Sequence, residues 1–132
     1  MEKYTFNYTQ TQIEEDMATA LALSLNLGSS IWFVIDDGRF KNFEEKKEAF
    51  LILLKACLNR GILKLQKEMQ IIEHTAEEWE KIFRTAFPKN EIEYSDNPTF
   101  APFDISMWFI TEDCPAYAVW IDPISKEMDW TS

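Results

Sequence analysis

The sequence predicts an α+β fold in which three main helices pack on a small antiparallel sheet formed largely by the C-terminal third. Two observations support this prediction. The first two-thirds of the chain place apolar residues at helical spacing behind capping motifs, whereas the last third has short apolar runs separated by turn residues. With 132 residues, 46% hydrophobic and 14% aromatic, the chain fits a single globular domain spanning residues 1–132.

The first helix is predicted over residues 11–27. Thr11 and Glu14 have the spacing of a capping box, in which a hydroxyl and a carboxylate satisfy early backbone amides. Gly28 follows the apolar pattern as a candidate C-cap. The next apolar run, residues 31–35, is compatible with a buried strand or a short helix, because periodicity does not separate the two over five residues.

The second main helix is predicted over residues 43–60, with Gly61 at its end. Phe43, Lys47, Phe50, Leu51, Leu54 and Leu58 share one face, and Glu44, Glu45, Lys46 and Glu48 occupy the start and the outer side. Residues 62–65 then alternate as in a strand packed back on this helix, or begin another helix that continues to Ile72.

The third main helix starts at a second capping box, formed by Thr75 and Glu78. Trp79, Ile82, Phe83 and Phe87 face inward on this helix, and Pro88 follows its end. The polar residues 89–104 contain two prolines and predict a long loop. Strands are then predicted over residues 105–111, 116–121 and 127–131, joined by turns into a small meander.

Charge is unevenly distributed along the chain. The net charge is −10, of which residues 1–38 contribute −5, residues 39–89 contribute +3 and residues 90–132 contribute −8. The last segment has nine acidic residues and one basic residue, Lys126, interleaved with eight aromatic residues. A chain this acidic opposes binding to nucleic acid, because the phosphates need a basic face. The composition favours a basic protein as the partner.

The contact residues predicted for such a partner are acids on the long loop and at the turns, with three aromatic residues whose context permits exposure. They are Glu91, Glu93, Asp96, Asp104, Glu112, Asp113, Asp122, Tyr94, Tyr117 and Trp130. The aromatic residues Trp108 and Trp120 are instead predicted to face the core. A solubilising role for the acids is the simpler alternative.

No catalytic motif, metal site or cofactor is predicted. The single histidine, His74, precedes a helix as an ordinary boundary residue, and the three glycines form no phosphate-binding loop. Cys57 and Cys114 lack metal-site spacing and are expected to be reduced thiols. The longest wholly apolar run has six residues, too few to span a membrane, so a cytoplasmic protein is expected.

In size, acidity, helical N-terminal part and aromatic, acidic C-terminal strands, the chain resembles small bacterial families of unknown function that include immunity proteins of toxin–immunity systems. The resemblance lies in residues 43–65 and 116–130. It implies a cytoplasmic antitoxin that occludes a cognate toxin, often a basic nuclease, without catalysis. Two alternatives remain: a structural or adaptor domain that self-associates as a homodimer, and a carboxylate-dependent enzyme.

Overall fold

The computed structural model describes residues 7–89 and 105–131. In chain order its elements are α1 (Gln10–Leu23), α2 (Ile31–Ile35), α3 (Phe43–Arg60), β1 (Leu63–Lys67), β2 (Gln70–Ile71), α4 (Ala76–Ala86), a 3-10 helix (Ile105–Ile110), β3 (Tyr117–Ile121) and β4 (Met128–Trp130). The predicted α+β class and the three main helices, α1, α3 and α4, are confirmed. None of the helices described is long and apolar enough to cross a membrane.

The sheet is antiparallel, with the strand order β2-β1-β3-β4. As predicted, the C-terminal third supplies β3 and β4. The middle of the chain supplies β1 and β2, and Leu63 of β1 lies opposite Trp120 of β3. The β1–β2 turn passes through Glu68 and Met69, whose positive φ angles of 54° and 67° match the twist of a two-residue hairpin. The sheet therefore joins two distant parts of the sequence.

Aromatic side chains dominate the core between the helices. The Phe50 ring on α3 is fully buried, with its centroid 5.0 Å from that of Phe109 and 5.6 Å from that of Phe87. Trp32 on α2 contacts the same cluster, at 5.8 Å from both Phe87 and Phe109. These contacts fasten α2, the end of α4 and the 3-10 helix onto α3. Trp108 and Trp120 are also buried, as predicted.

Helix α1 differs from the prediction at both ends. Its capping box consists of Thr9 and Gln12, two residues before the predicted pair of Thr11 and Glu14. It ends at Ser24, which adopts the left-handed conformation with φ 51°, so Gly28 is not its cap. The early end leaves the Leu25 carbonyl free to accept a hydrogen bond from the Trp120 indole at 2.7 Å.

Residues 31–35, left open by the sequence, form the short helix α2. The predicted strand over residues 105–111 is wrong, because residues 105–110 form a 3-10 helix. Trp108 and Phe109 are both buried there although they are neighbours in sequence, and a strand would place them on opposite faces. A helical turn brings both rings into the core.

The outer side of α3 is also less exposed than predicted, because Glu45 and Glu48 are buried. The Glu45 carboxylate accepts the Lys41 backbone N–H at 2.9 Å. The Glu48 carboxylate pairs with Arg84 of α4, which also reaches Glu80 at 2.9 Å. These acids serve the packing of the fold. The capping box of α4 at Thr75 and Glu78 is present as predicted.

Candidate functional site

Half of the predicted contact residues lie outside the described residues: Glu91, Glu93, Tyr94, Asp96 and Asp104. The other five are described, and they lie around β3 and β4: Glu112, Asp113, Tyr117, Asp122 and Trp130. The described acids fall into two groups, because the turn holding Glu112 and Asp113 comes before β3 and Asp122 comes directly after it.

The first group adjoins Lys67 at the end of β1. The Lys67 ammonium donates to the backbone carbonyls of Cys114, at 2.8 Å, and of Glu112, at 3.3 Å. It also lies 4.7 Å from the ring centroid of Tyr117, whose hydroxyl donates to the Thr111 carbonyl at 2.8 Å. Tyr117 is therefore held in place by its own neighbours. The carboxylates of Glu112 and Asp113 remain exposed.

The second group begins at the turn between β3 and β4. The Asp122 carboxylate accepts the backbone N–H groups of Ser125 and Ile124, each at 2.8 Å. These two hydrogen bonds lower the pKa of Asp122 below its ordinary value of 3.8, because they stabilise the ionised form. Asp122 is thus a fixed negative charge at neutral pH. Ile124, at the tip of the same turn, is 91% exposed.

Asp122 opens onto a cleft of about 480 Å³ between the end of α1 and the β3–β4 hairpin. We call this the acidic cleft; it is lined by Leu21, Ala22, Ser24, Trp120, Asp122, Glu127, Met128 and Asp129. Three carboxylates line it, and none of them is in an ion pair with a described residue. The last turn of α1 has no basic residue, so the negative end of its helix dipole adds to the same field. The cleft therefore favours a cationic group.

Strand β4 forms one side of the acidic cleft and one edge of the described sheet. Its residues Met128, Asp129 and Trp130 are all exposed, and Trp130 retains 40% of its accessible surface. Asp129 lies opposite Trp120 and lines the cleft, whereas Trp130 lies opposite Val119 on the other face of the hairpin. Met128, opposite Ile121, also borders the cleft. One short strand thus presents a carboxylate on one face and apolar contact surface on the other.

The sequence did not single out Glu127, Met128, Asp129 or Ile124 as contact residues. The alternation of Met128, Asp129 and Trp130 carries a partial signal, because successive strand residues point to opposite faces. Their position beside α1 depends on the pairing of β4 with β3 and on the packing of α1 against Trp120. Those contacts are not visible in the local sequence.

Other chemically interesting side chains are engaged in packing. The His74 ring meets the Trp79 ring edge-on, with centroids 4.8 Å apart, and its Nδ1 lies 3.6 Å from the Glu78 carboxylate. Burial raises the pKa of both Cys57 and Cys114 to about 12, so the thiols stay protonated. Within residues 7–89 and 105–131, no three side chains suited to holding a metal ion are grouped together.

The fold and this site define a small α+β protein whose four-stranded sheet ends at an acidic edge. The family described as "Protein of unknown function, DUF596" matches residues 58–131, and the chain belongs to this family. The matched region contains all four strands and the three cleft carboxylates, whereas the α1 residues of the cleft precede it.

A solved structure of a bacterial protein is similar to this chain in sequence and in fold. It is an uncharacterized protein conserved in bacteria, from Neisseria meningitidis, and is 50% identical to this chain. The similarity covers 92% of this chain and 88% of that one, with a TM-score of 0.79. No curated protein matches the sequence.

Proposed function

We propose that this chain is a non-catalytic binding protein that docks onto a basic partner protein and neutralises it. The observation that supports this proposal is the acidic cleft, where Asp122, Glu127 and Asp129 share one concave surface and none of them forms an ion pair with a described residue. An immunity protein that blocks a toxin such as a nuclease is the role that fits best. A protein that binds phosphates presents a cationic surface, and an acidic cleft complements it.

Several carboxylates outside the cleft are neutralised by ion pairs within the chain. Asp16 is paired with Arg39 at 2.9 Å, and Asp36 is paired with Lys46 at 2.9 Å. Glu80 contacts both Lys55 and Arg84. These carboxylates are offset by cations of the chain itself. The cleft carboxylates form no ion pair with the described residues, and the one described cation that acts on them, Lys126 beside Asp122, offsets a single charge of the three. A net negative charge therefore remains available to another molecule.

Exposed apolar side chains accompany the charge. Trp130 and Met128 on β4, at 40% and 50% exposure, adjoin the acidic cleft and can exclude water around an ion pair. Charge steers the encounter, and apolar contact slows dissociation. This combination supports tight binding rather than the loose attraction of an acidic surface alone.

The test is a binding measurement with the product of the adjacent gene, which the proposal expects to be a basic protein. We expect a complex whose affinity falls as salt is raised. The double variant Glu127→Lys with Asp129→Lys should weaken it about tenfold or more, because like charges then face each other. The matched control is Glu15→Lys with Glu68→Lys, two exposed acids outside the cleft and outside ion pairs.

Both double variants change the net charge equally, so overall charge cancels from the comparison. An affinity lost only in the cleft variant supports the proposal. No association with the neighbouring gene product, or equal losses in the two variants, would refute it. Circular dichroism of each variant checks that the fold is retained.

Self-association is the second candidate, because exposed apolar residues on an edge strand can also pair with a second copy. Light scattering separates the two. A dimer that persists at high salt and involves Met128 and Trp130 would favour a structural or adaptor role over partner neutralisation.

A further inference from the structure

The outer edge of β4 offers backbone groups that nothing in the described chain uses. The Thr131 N–H donates to the Ala118 carbonyl at 3.1 Å, and the Asp122 N–H donates to the Glu127 carbonyl at 3.0 Å. In an antiparallel ladder, hydrogen-bonded and non-hydrogen-bonded pairs alternate. Asp129 therefore exchanges its hydrogen bonds with Trp120, and the N–H and carbonyl groups of Met128 and Trp130 point away from the sheet.

We infer that this edge accepts an extended strand of a basic partner, which adds to the sheet as a fifth strand beside β4. The inference deepens the proposed function, on which it rests, by naming the mode of binding. Two N–H and two carbonyl groups of β4 have no backbone partner among residues 7–89 and 105–131 and can enter the ladder, and strand addition draws its affinity from such groups.

The side chains of β4 specify what the added strand should look like. Residues of neighbouring strands that lie side by side point to the same face. A partner residue beside Asp129 therefore points toward the acidic cleft, with Asp122 and Glu127 also in reach. Partner residues beside Met128 and Trp130 meet apolar surface. The complementary strand thus alternates apolar and basic residues.

Two features of β4 limit unspecific pairing at this edge: the strand has only three residues, and Asp129 places a charge on it. Natural edges are blocked more completely by lysine, by proline or by a bulge. Met128–Trp130 contains none of them, and its register with β3 is regular. A second copy of the chain would satisfy the same backbone groups. It would also bring two acidic clefts together, whereas a basic strand neutralises one.

The experiment uses a capped synthetic peptide that alternates valine and lysine, added to the intact protein. Hydrogen exchange of individual amides is measured by NMR. We expect the exchange of the Met128 and Trp130 amides to slow about fivefold to tenfold or more as each gains a hydrogen bond. The Asp129 amide, already bonded to Trp120, is the internal control and should change little.

Two matched peptides isolate the causes. In one, the amides that face β4 are N-methylated, which removes the hydrogen bonds and retains the side chains; it should bind at least about tenfold more weakly. In the other, glutamate replaces lysine, and it should not bind, because its carboxylates face those of the cleft. A valine–lysine peptide that leaves both amides unprotected, or an N-methylated peptide that binds equally well, would overturn the inference.

This outcome is distinguishable from failure of the proposed function. If the basic partner protein binds and the Glu127→Lys and Asp129→Lys variant weakens it while the Met128 and Trp130 amides still exchange freely, strand addition is wrong and partner binding stands. If both amides are already protected in the free protein and lose protection on dilution, the edge pairs with a second copy, and the inference fails.

Discussion

Replacing Gly28 by alanine tests a steric explanation of a glycine that the sequence assigned to a helix cap. Gly28 is buried, and its φ angle is not positive. A Cβ added there would lie 2.4 Å from the backbone oxygen of Ser106 and 3.1 Å from the Phe109 ring. The structure therefore requires glycine for the close approach of the 3-10 helix rather than for a left-handed conformation.

The size of the effect follows from that distance. Ordinary contact begins near 3.4 Å, and the obstructing atom belongs to the backbone, so the 3-10 helix or the loop before α2 must move by about 1 Å. Overpacking of this kind costs about 1–3 kcal/mol of unfolding free energy. For a chain of 132 residues this lowers the melting temperature by about 4–11 °C. Thermal unfolding followed by circular dichroism measures it.

Gly38 provides the matched control. Its φ is +95°, and an added Cβ would meet nothing within 4 Å, so only backbone conformation is at stake there. Because asparagine tolerates positive φ, Gly38→Asn should be less destabilising than Gly38→Ala. At Gly28 the order should be reversed, with asparagine worse than alanine. A Gly28→Ala variant that melts within about 1 °C of the wild type would refute the reasoning, since even mild overpacking exceeds that shift.

Three further predictions concern the core, the carboxylates and the thiols. Phe50→Ala should lower the free energy of unfolding by about 3–5 kcal/mol, because it removes a fully buried ring that contacts four other aromatic rings. Urea denaturation measures this change. A loss below about 1 kcal/mol would contradict the close packing around Phe50. The Ser125 and Ile124 amides lower the pKa of Asp122 by hydrogen bonding, and Arg84 lowers the pKa of Glu80 in the same way. Each carboxylate therefore contributes its full share of stability above its ordinary pKa, which is 3.8 for Asp122 and 4.5 for Glu80. That contribution is lost as the pH falls through the lowered pKa of the folded protein. In the Asp122→Asn variant, the free energy of unfolding should therefore fall less steeply as the pH is lowered. An unchanged pH dependence would show that Asp122 does not contribute to acid unfolding. Cys57 and Cys114, with pKa values raised to about 12, should resist a thiol reagent at pH 8 and react only after denaturation; fast labelling of the native protein would argue against their burial.

Long amphipathic helices were predictable because their pattern is redundant. The helix over residues 43–60 and the capping box at Thr75 and Glu78 are both confirmed. Local sequence was ambiguous at the start of α1, where Thr9 with Gln12 and Thr11 with Glu14 both offer caps. Ile13 belongs to the helix with either cap, so its predicted place in the apolar face of α1 is correct although the predicted capping residue is wrong.

The short apolar segments were not predictable, because almost every position in them is hydrophobic. In residues 31–35 only Phe33 is exposed, at 63%, and the buried positions on either side of it follow a helical spacing. The sequence alone does not reveal this pattern, because all five residues are hydrophobic; only the exposure of each side chain in the structure does. Likewise, Trp108 and Phe109 reach the same core through a 3-10 turn that pairs them with Phe87 and Phe50. Tertiary contacts decide the local conformation here.

The negative charge of the candidate site was predictable from the sequence, whereas its location was not. Asp122 was predicted to be a contact residue from its turn, and this stays a prediction; the structure places Asp122 in the lining of the cleft. Glu127 and Asp129 were counted as part of the acidic segment without being assigned to the site. Their inclusion depends on the register that sets Asp129 opposite Trp120, and on the Trp120 indole that ties β3 to the end of α1.

The chain uses carboxylates in two physically different ways, and salt separates them. Asp16 and Glu48 are mostly buried in ion pairs with Arg39 and Arg84 that hold helices in place. Because the carboxylates of these pairs are mostly buried, added salt screens them less than it screens exposed charges. The carboxylates of the acidic cleft are exposed, and salt screens most of their long-range attraction for a partner. A complex that dissociates at a salt concentration where the protein remains folded therefore reports on exposed carboxylates rather than on the buried ones, and the comparison of the cleft variant with its control assigns the effect to the cleft. The electrostatics of binding can thus be measured without disturbing those of the fold.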